Sequence, residues 1–301
     1  MLGFTDGEII HYFKDYIPTL AKENGLSYDG CLESLRTWYN GYRFSQKAAK
    51  VYNPFSILNV LKNRSFKNFW FETDIAIALM NLIKEKDYPI SNIENLEIQE
   101  MTFSTYALEN LRLEALLFQA GYITIHDYDG LLYQLGYPNR EVKNSFLSYL
   151  YDNLVKLADT TLKEQYIRLH QYLAQEDLAQ FIETTNAILS AIPYPQIGGQ
   201  GEAYYHTVFY LMLSASGVLV HTEPLSSHGR ADIAVAFKDK VFVVELKCNQ
   251  SAEEAIRQIR EKRYGEKYVQ SGRKISLVGI NFDTHAPSQT GVWRPGPAET
   301  E

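Results

Sequence analysis

The first 85 residues place apolar side chains with the period of an α-helix. Apolar residues recur three and four positions apart over residues 7–21, 31–39 and 55–61, which predicts helices there. Asn40 and Gly41 interrupt this pattern with a strong turn signal. The pattern therefore predicts a mostly helical N-terminal region.

A helix, a hairpin and a second helix are predicted next. The helices cover residues 106–120 and 141–158, and two apolar runs between them, 122–125 and 131–135, are joined by an Asp-Gly turn. This order resembles a winged-helix module, which either contacts DNA or packs two domains together. The hairpin tip is acidic and tyrosine-rich rather than basic, which favours packing.

A segment rich in proline and glycine, residues 192–201, follows a long helical stretch over residues 160–191. We interpret this segment as a domain boundary. After it the pattern predicts a helix, three strands, a helix and a strand, which is an α/β sandwich. These elements cover residues 202–215, 218–222, 230–237, 240–247, 252–268 and 275–282.

The predicted fold class is α+β to α/β. The predicted organisation is a helical domain at residues 1–95, a helical and winged-helix-like region at 96–192, an α/β sandwich domain at 193–285 and a C-terminal tail at 286–301.

Composition allows large cores but says little about partners. Apolar residues make up 46% of the chain, which argues against disorder. The formal net charge of -7 argues at first against a nucleic-acid partner. Basic and acidic residues are equally numerous from Gln196 onward, however, so the acidic excess lies entirely before that point.

The cellular location is predicted from the targeting and membrane-spanning signals that the sequence lacks. Residues 1–15 have neither the basic region nor the apolar run of a signal peptide, and no apolar stretch approaches the roughly 20 residues that span a bilayer. Cys31 and Cys248 have no metal-ligand spacing and form no disulfide framework, which suits a reducing compartment. We therefore expect a cytoplasmic protein without a membrane partner.

Two strands of the predicted sandwich bring charged side chains to one face. If residues 238–239 form a two-residue turn, Asp232 lies opposite Glu245, with Cβ atoms roughly 5 Å apart. Lys247 lies two residues further along and emerges on the same face. Lys-Asp is not a favoured turn pair, and a loop of odd length would shift the pairing by one residue.

Two carboxylates and a lysine in this arrangement suit a divalent metal ion and a phosphate. Asp232 and Glu245 would bind Mg²⁺ or Mn²⁺, which lowers the pKa of a bound water. Lys247 would orient the attacking water and stabilise the transition state. Glu202, at the start of the preceding helix, is either a further ligand or a cap favoured by the helix dipole. Such residues on a strand are usually solvated, but the apolar character of residues 241–246 indicates burial, which favours function.

These residues also resemble the successive motifs of the PD-(D/E)XK nuclease superfamily, and in particular the nuclease domain fused to an AAA-ATPase-like domain in many bacterial proteins. The matching residues are Gly201-Glu202, Gly229-Arg230-Ala231-Asp232, Glu245-Leu246-Lys247 and Gln258-Ile259. The resemblance covers about residues 194–283 and implies a restriction-endonuclease-like fold. Asp232 and Glu245 would then be metal ligands, and Lys247 the catalytic lysine. Glu202 would be the helix carboxylate, and Gln258 a glutamine near the site.

The earlier part resembles the end of the AAA-ATPase-like domain of the same proteins. The matching segments are residues 38–44 (WYNGYRF), 52–56 (YNPFS) and 117–122 (LFQAGY). No G-x-x-x-x-G-K-[ST] motif occurs in the chain, so the loop that would bind the ATP phosphates is missing. The resemblance therefore implies a chain that begins after the ATP site and hydrolyses no ATP.

The favoured function is Mg²⁺-dependent hydrolysis of phosphodiester bonds in DNA. Arg230 and Lys262 are candidates for contacts with the nucleic acid, and Lys262 lies one helical turn from Gln258. The basic residues of that helix either follow a phosphate backbone or form ordinary ion pairs with the interleaved glutamates. Two alternatives stay open: a catalytically silent interaction or regulatory module with a nuclease fold, and a nucleic-acid-binding protein that does not cleave.

Overall fold

A computed structural model describes residues 3–69, 73–85, 88, 90–99, 112–155, 160–192, 202–221, 233–283 and 294–296. The chain divides into two compact units, Met1–Phe146 and Leu147–Glu301. The first unit is mostly helical with a small sheet, and the second combines helices with a larger sheet. A helical region followed by an α/β domain, as predicted, is confirmed.

Unit 1 opens with short helices around a shared apolar core. They are α1 Asp6–Phe13, α2 Ile17–Glu23, α3 Tyr28–Tyr39 and α4 Pro54–Asn63. Helix α5 Thr73–Glu85 comes next in the chain. The single helix predicted over residues 7–21 is wrong, because the chain forms α1 and α2 there. Pro18 in the first turn of α2 has no N–H with which to continue the hydrogen bonding of α1. The core contains Ile9, Ile17, Leu20, Leu35, Ile57 and Val60.

The aromatic segment after α3 packs inside unit 1. Gly41 has a φ of 120°, and a Cβ atom there would lie 1.9 Å from the carbonyl oxygen of Pro138, so only glycine fits. The ring of Tyr39 stacks on Phe66 at 6.2 Å between centroids. The turn signal at Asn40-Gly41 therefore marks a close approach between distant parts of the chain.

The predicted hairpin is present and pairs with a strand that the sequence pattern missed. The elements are a 3-10 helix Ile90–Asn95, β1 Leu96–Gln99, α6 Leu113–Gln119, β2 Thr124–Tyr128, β3 Leu132–Gly136 and α7 Arg140–Val155. The sheet is antiparallel in the order β1-β3-β2. Residues 106–111 of the predicted helix lie outside the described residues, and the winged-helix interpretation stays a prediction.

Unit 2 is built around a mixed sheet. Its elements are α8 Thr160–Gln175, α9 Leu178–Ser190, α10 Glu202–Ala215, β4 Val220–His221, β5 Ile233–Ala236, β6 Lys240–Cys248, α11 Ala252–Glu261, α12 Glu266–Val269, β7 Lys274–Phe282 and β8 Arg294–Gly296. The described strands run in the order β4-β5-β6-β7-β8, and β6 and β7 are parallel whereas the other pairs are antiparallel.

Two helices predicted in unit 2 are shorter than expected. The stretch over residues 160–191 breaks at Glu176, which has a φ of 58°, and Asp177 then caps α9 by accepting a hydrogen bond from the N–H of Gln180. The helix predicted over residues 252–268 breaks at Arg263, which has a φ of 55°. Each break lets the chain change direction beside the sheet.

Strand β6 is covered on both faces, as its apolar sequence predicts. On one face Val241 and Val243 pack against Ile256 and Ile259 of α11. On the other face Phe242 and Val244 share an apolar space with Phe209 and Leu213 of α10 and with side chains of α8 and α9. A charged residue on this strand is therefore enclosed by protein.

None of the helices in the described part of the chain is long and apolar enough to cross a membrane.

Candidate functional site

The pairing of β5 with β6 follows the predicted register. Ile233 lies opposite Val244, and Ala236 lies opposite Val241. The N–H of Phe237 donates to the carbonyl of Lys240 at 2.8 Å, which closes the turn at residues 238–239. Lys238 and Asp239, which are not a favoured turn pair, therefore form the turn without shifting the register of β5 and β6. Asp232 lies one residue before β5, outside the described residues.

Glu245 and Lys247 form an ion pair on the face of β6 that meets α11. The Nζ atom of Lys247 lies 3.2 Å from Oε1 of Glu245, as expected for residues two apart on one strand face. Glu245 is only 2% exposed, and the side chain of Lys247 is 13% exposed. An acid at this depth is costly unless charges or donors compensate it, so the lysine stabilises the carboxylate.

Gln258 joins this pair from helix α11. Its Nε2 atom donates a hydrogen bond to the same Oε1 atom of Glu245 that meets Lys247. Gln258 and Glu245 belong to different elements, so their meeting depends on how α11 packs against the sheet. The structure therefore brings together Glu245, Lys247 and Gln258 among the predicted site residues.

Gly279 permits the close packing of α11. It lies beside Glu245 on the parallel strand β7. A Cβ atom at this position would lie 2.3 Å from the carbonyl oxygen of Ala252 and 3.0 Å from side-chain atoms of Ala255 and Ile256. Nothing larger than glycine fits between this strand and the first turns of α11.

The turn between β6 and α11 is held by β7. The N–H of Asn249 donates to the carbonyl of Phe282, and the N–H of Gln250 donates to Oδ1 of Asn281, both at 2.9 Å. Ser251 then caps α11, where its side chain accepts from the N–H of Glu254. Asn281 lies beside Lys247 in the register. Sequence reasoning missed Gly279 and Asn281, because only the pairing of β6 with β7 shows that they adjoin Glu245 and Lys247.

The start of α10 lies near the same end of the sheet. Tyr205 stacks on Phe282, the last residue of β7, with ring centroids 5.2 Å apart. Burial raises the pKa of Tyr205, and the nearby acidic groups of Cys248 and Asp283 raise it further, so its hydroxyl stays protonated. Glu202 begins α10 one turn earlier. Its side chain lies outside what the structure describes.

The predicted substrate contacts are placed only in part. Lys262 is the exposed C-cap residue that follows α11, and its N–H donates to the carbonyl of Gln258 at 2.9 Å. Arg257 on the same helix forms ion pairs with Glu254 at 3.5 Å and Glu261 at 3.8 Å, so some of its basic residues are used in helical pairs. Arg230 lies outside the described residues.

The group at this site that could bind a metal ion is a carboxylate, which offers oxygen ligands. Glu245 supplies a carboxylate in a buried setting, which suits a hard cation such as Mg²⁺ or Mn²⁺. Within the described ranges, no three His, Cys, Asp or Glu side chains are grouped so that they could hold a metal ion. Of the two predicted ligands, only Glu245 belongs to those ranges.

Comparison with known proteins bears on unit 2 most directly. Residues 200–288 match the PD-(D/E)XK nuclease superfamily. A curated relative from Azotobacter chroococcum mcd 1, described as an uncharacterized protein in the vnfD 5' region, is 30% identical over 97% of this chain. The chain spans 56% of the length of that relative. No solved structure matches the chain. The segment that contains the Glu245–Lys247–Gln258 cluster is therefore similar to the PD-(D/E)XK nuclease superfamily.

Proposed function

We propose that this protein hydrolyses phosphodiester bonds in DNA, with Mg²⁺ or Mn²⁺, at the site around Glu245. The observation that carries this proposal is the enclosed cluster in which Lys247 and Gln258 both contact Glu245. A carboxylate can hold a divalent metal ion, and a lysine can stabilise the negative charge that develops on the phosphate during metal-dependent hydrolysis. The similarity of residues 200–288 to a nuclease superfamily supports it independently.

Asp232 and Glu245 would hold the metal ion. If the observed pairing of β5 with β6 continued by one residue, Asp232 would lie across from Glu245, which supports the proposal of a shared site. The carboxylates supply only oxygen atoms, as Mg²⁺ prefers. Such an ion, when bound, acidifies a coordinated water and offsets negative charge on the phosphate.

The remaining residues would position groups around the reacting phosphate. Lys247 donates hydrogen bonds and supplies a positive charge that favours the transition state. Gln258 holds the Glu245 carboxylate in one orientation through its amide. Glu202 begins α10 near the end of β7 that adjoins the site, which supports a role as a further carboxylate. Arg230 and Lys262 would contact the DNA backbone.

The role of unit 1 and of the wider chain belongs to the proposal as well. We propose the domain limits 1–95, 96–192, 193–285 and 286–301, a packing role for the winged-helix-like region and a cytoplasmic location. An AAA-ATPase-like ancestry is also proposed, from the segments at residues 38–44, 52–56 and 117–122 alone. The proposed lack of ATP hydrolysis by this chain rests on the missing G-x-x-x-x-G-K-[ST] motif.

One observation favours the silent alternative. Oε1 of Glu245 already accepts from both Lys247 and Gln258, so this oxygen is satisfied by protein groups. In a module that never binds a metal, the same contacts would simply stabilise a buried acid. Measurements of cleavage activity and of its metal dependence distinguish an active nuclease from a catalytically silent module.

The test is a cleavage assay with purified protein on plasmid DNA, single-stranded DNA and RNA. Each substrate is incubated with Mg²⁺, with Mn²⁺ or with EDTA. We expect cutting of DNA with either metal and none with EDTA. Binding of DNA without cutting would instead support a nucleic-acid-binding protein, and neither binding nor cutting would support the silent module.

Variants within one hairpin provide matched controls. Asp232→Asn and Lys247→Ala should abolish cutting. Asp239→Asn and Lys238→Ala change the same residue types at exposed positions in the turn between β5 and β6 and should leave the rate unchanged. Equal cutting by all four variants would refute the assignment of the site.

A further inference from the structure

Asn281 occupies a position beside the candidate site that the proposed chemistry does not use. It is the neighbour of Lys247 across the parallel pairing of β6 with β7, as Gly279 is the neighbour of Glu245. Residues paired in this way project from the same face of a sheet, about 5 Å apart. Asn281 therefore extends the row of polar groups at the ends of these strands, and it is partly exposed.

The orientation of the Asn281 amide follows from its hydrogen bond. The N–H of Gln250 lies 2.9 Å from Oδ1 of Asn281. A main-chain N–H can only donate, so the oxygen must face Gln250 and the NH₂ group must be the other end of the amide. Among the residues that the structure describes, no acceptor is found for that NH₂ group. Asn281 thus has a fixed acceptor and a donor that no described residue engages.

We propose that Asn281 binds the substrate by donating from Nδ2 to a phosphate oxygen of the nucleic acid. The inference rests on the proposed nuclease function and adds a binding residue to the same site. Phosphate oxygens only accept hydrogen bonds, and Asn281 and Lys247 present neighbouring donors to them. The bond to Gln250 orients the amide in advance, so little side-chain freedom is lost on binding.

Two substitutions separate substrate binding from a purely structural role. Asn281→Asp keeps an acceptor for the N–H of Gln250 but replaces the donor with a carboxylate oxygen. Asn281→Ala removes both groups without adding charge. Asn59→Asp makes the same chemical change at a partly exposed position of α4 in unit 1 and serves as the control. Thermal melting of each variant shows that it is folded.

Affinity is measured with a fluorescein-labelled DNA oligonucleotide, with Ca²⁺ replacing Mg²⁺ to limit cleavage. Loss of one hydrogen bond to a charged phosphate should weaken binding about tenfold in Asn281→Ala, and more in Asn281→Asp. Because the amide is neutral, Asn281→Ala should leave the salt dependence of binding unchanged. Asn59→Asp should bind like the wild type.

The outcomes distinguish this inference from the function on which it rests. If the wild type cuts DNA and Asn281→Asp, while folded, binds as tightly as the wild type, Asn281 is structural and only this inference is overturned. If the wild type neither binds nor cuts any nucleic acid, both proposals are overturned. Weaker binding by both Asn281 variants, with normal binding by Asn59→Asp, supports the inference.

Discussion

Gly279 lies directly beside Glu245 on the neighbouring parallel strand, and helix α11 fills the space that a side chain at Gly279 would occupy. This close contact brings the N-terminal turns of α11 down onto the sheet. Gln258 on the same helix can then reach the carboxylate of Glu245. The geometry of the candidate site thus depends on the smallest residue next to it.

Gly279→Ala should therefore damage the site and the fold together. The added methyl group forces α11 away from β7, and overpacking of this kind costs about 1–3 kcal/mol. We expect a lower free energy of unfolding in urea and a cleavage rate that falls further than the folded fraction alone explains. Gly265→Ala is the control, because a Cβ there would be 3.6 Å from its nearest neighbours. Equal loss from both substitutions would argue against a special role for Gly279.

Lys247→Met should destabilise the metal-free protein by about 3 kcal/mol, because it leaves a buried carboxylate without its cation. Glu245→Gln in the same chain removes the uncompensated charge and should recover much of the loss. A double-mutant cycle in urea, with EDTA present, measures this coupling. Lys238→Met, at an exposed turn position, provides the comparison. Strictly additive effects would show that Glu245 and Lys247 do not stabilise each other.

Glu176 should make unit 2 sensitive to acid. The ammonium groups of Lys274 and Lys240 donate hydrogen bonds to its carboxylate and hold the pKa of Glu176 below its ordinary value of 4.5. A lowered pKa in the folded state means that the stabilisation is present at neutral pH and is lost as pH falls below 4.5 through the folded-state pKa.

Glu176→Gln should consequently lower the melting temperature at pH 7 and converge with the wild type in acid. Melting curves across this pH range test the expectation. The matched control is Glu261→Gln, which affects only an exposed helical ion pair and should shift melting little at any pH. A constant difference between Glu176→Gln and the wild type at every pH would contradict the electrostatic explanation.

Glu141 should contribute strongly to the stability of unit 1. It is 0% exposed, and its carboxylate accepts hydrogen bonds from Oγ of Ser56 at 2.6 Å and from the N–H of Phe69 at 2.7 Å. Glu141→Ala leaves these buried donors unsatisfied, so we expect a loss of about 2–4 kcal/mol in urea unfolding. The exposed substitution Glu33→Ala should cost far less. A loss of stability in Glu141→Ala as small as that in Glu33→Ala would mean that water accepts the hydrogen bonds of Ser56 and Phe69 in place of the carboxylate.

Local patterns in the sequence predicted a large part of unit 2. The alternation of apolar residues and a two-residue turn at residues 238–239 were sufficient to predict the register of β5 and β6. The bounds predicted for α10, residues 202–215, match the structure. These features follow from interactions between residues close in sequence, whose spacing directly reflects helix or strand geometry.

The missed elements depend on distant partners. Strands β1 and β8 are short, and each is defined by pairing with a strand that is distant in the sequence. The breaks at Glu176 and Arg263 place non-glycine residues at positive φ, which no local propensity favours. Tertiary packing overrides the helical pattern at both positions.

The amino-acid sequence by itself determined which residues bear the candidate chemistry, because Glu245 and Lys247 share a strand and strand geometry puts alternate residues on one face. The family resemblance already implied that Gln258 lies near them, but only the tertiary structure showed its hydrogen bond to Glu245 and decided that Gly279 and Asn281 adjoin the site. Their positions depend on the parallel pairing of β6 with β7 and on the packing of α11, and contacts between segments so far apart leave no periodic signal in the sequence.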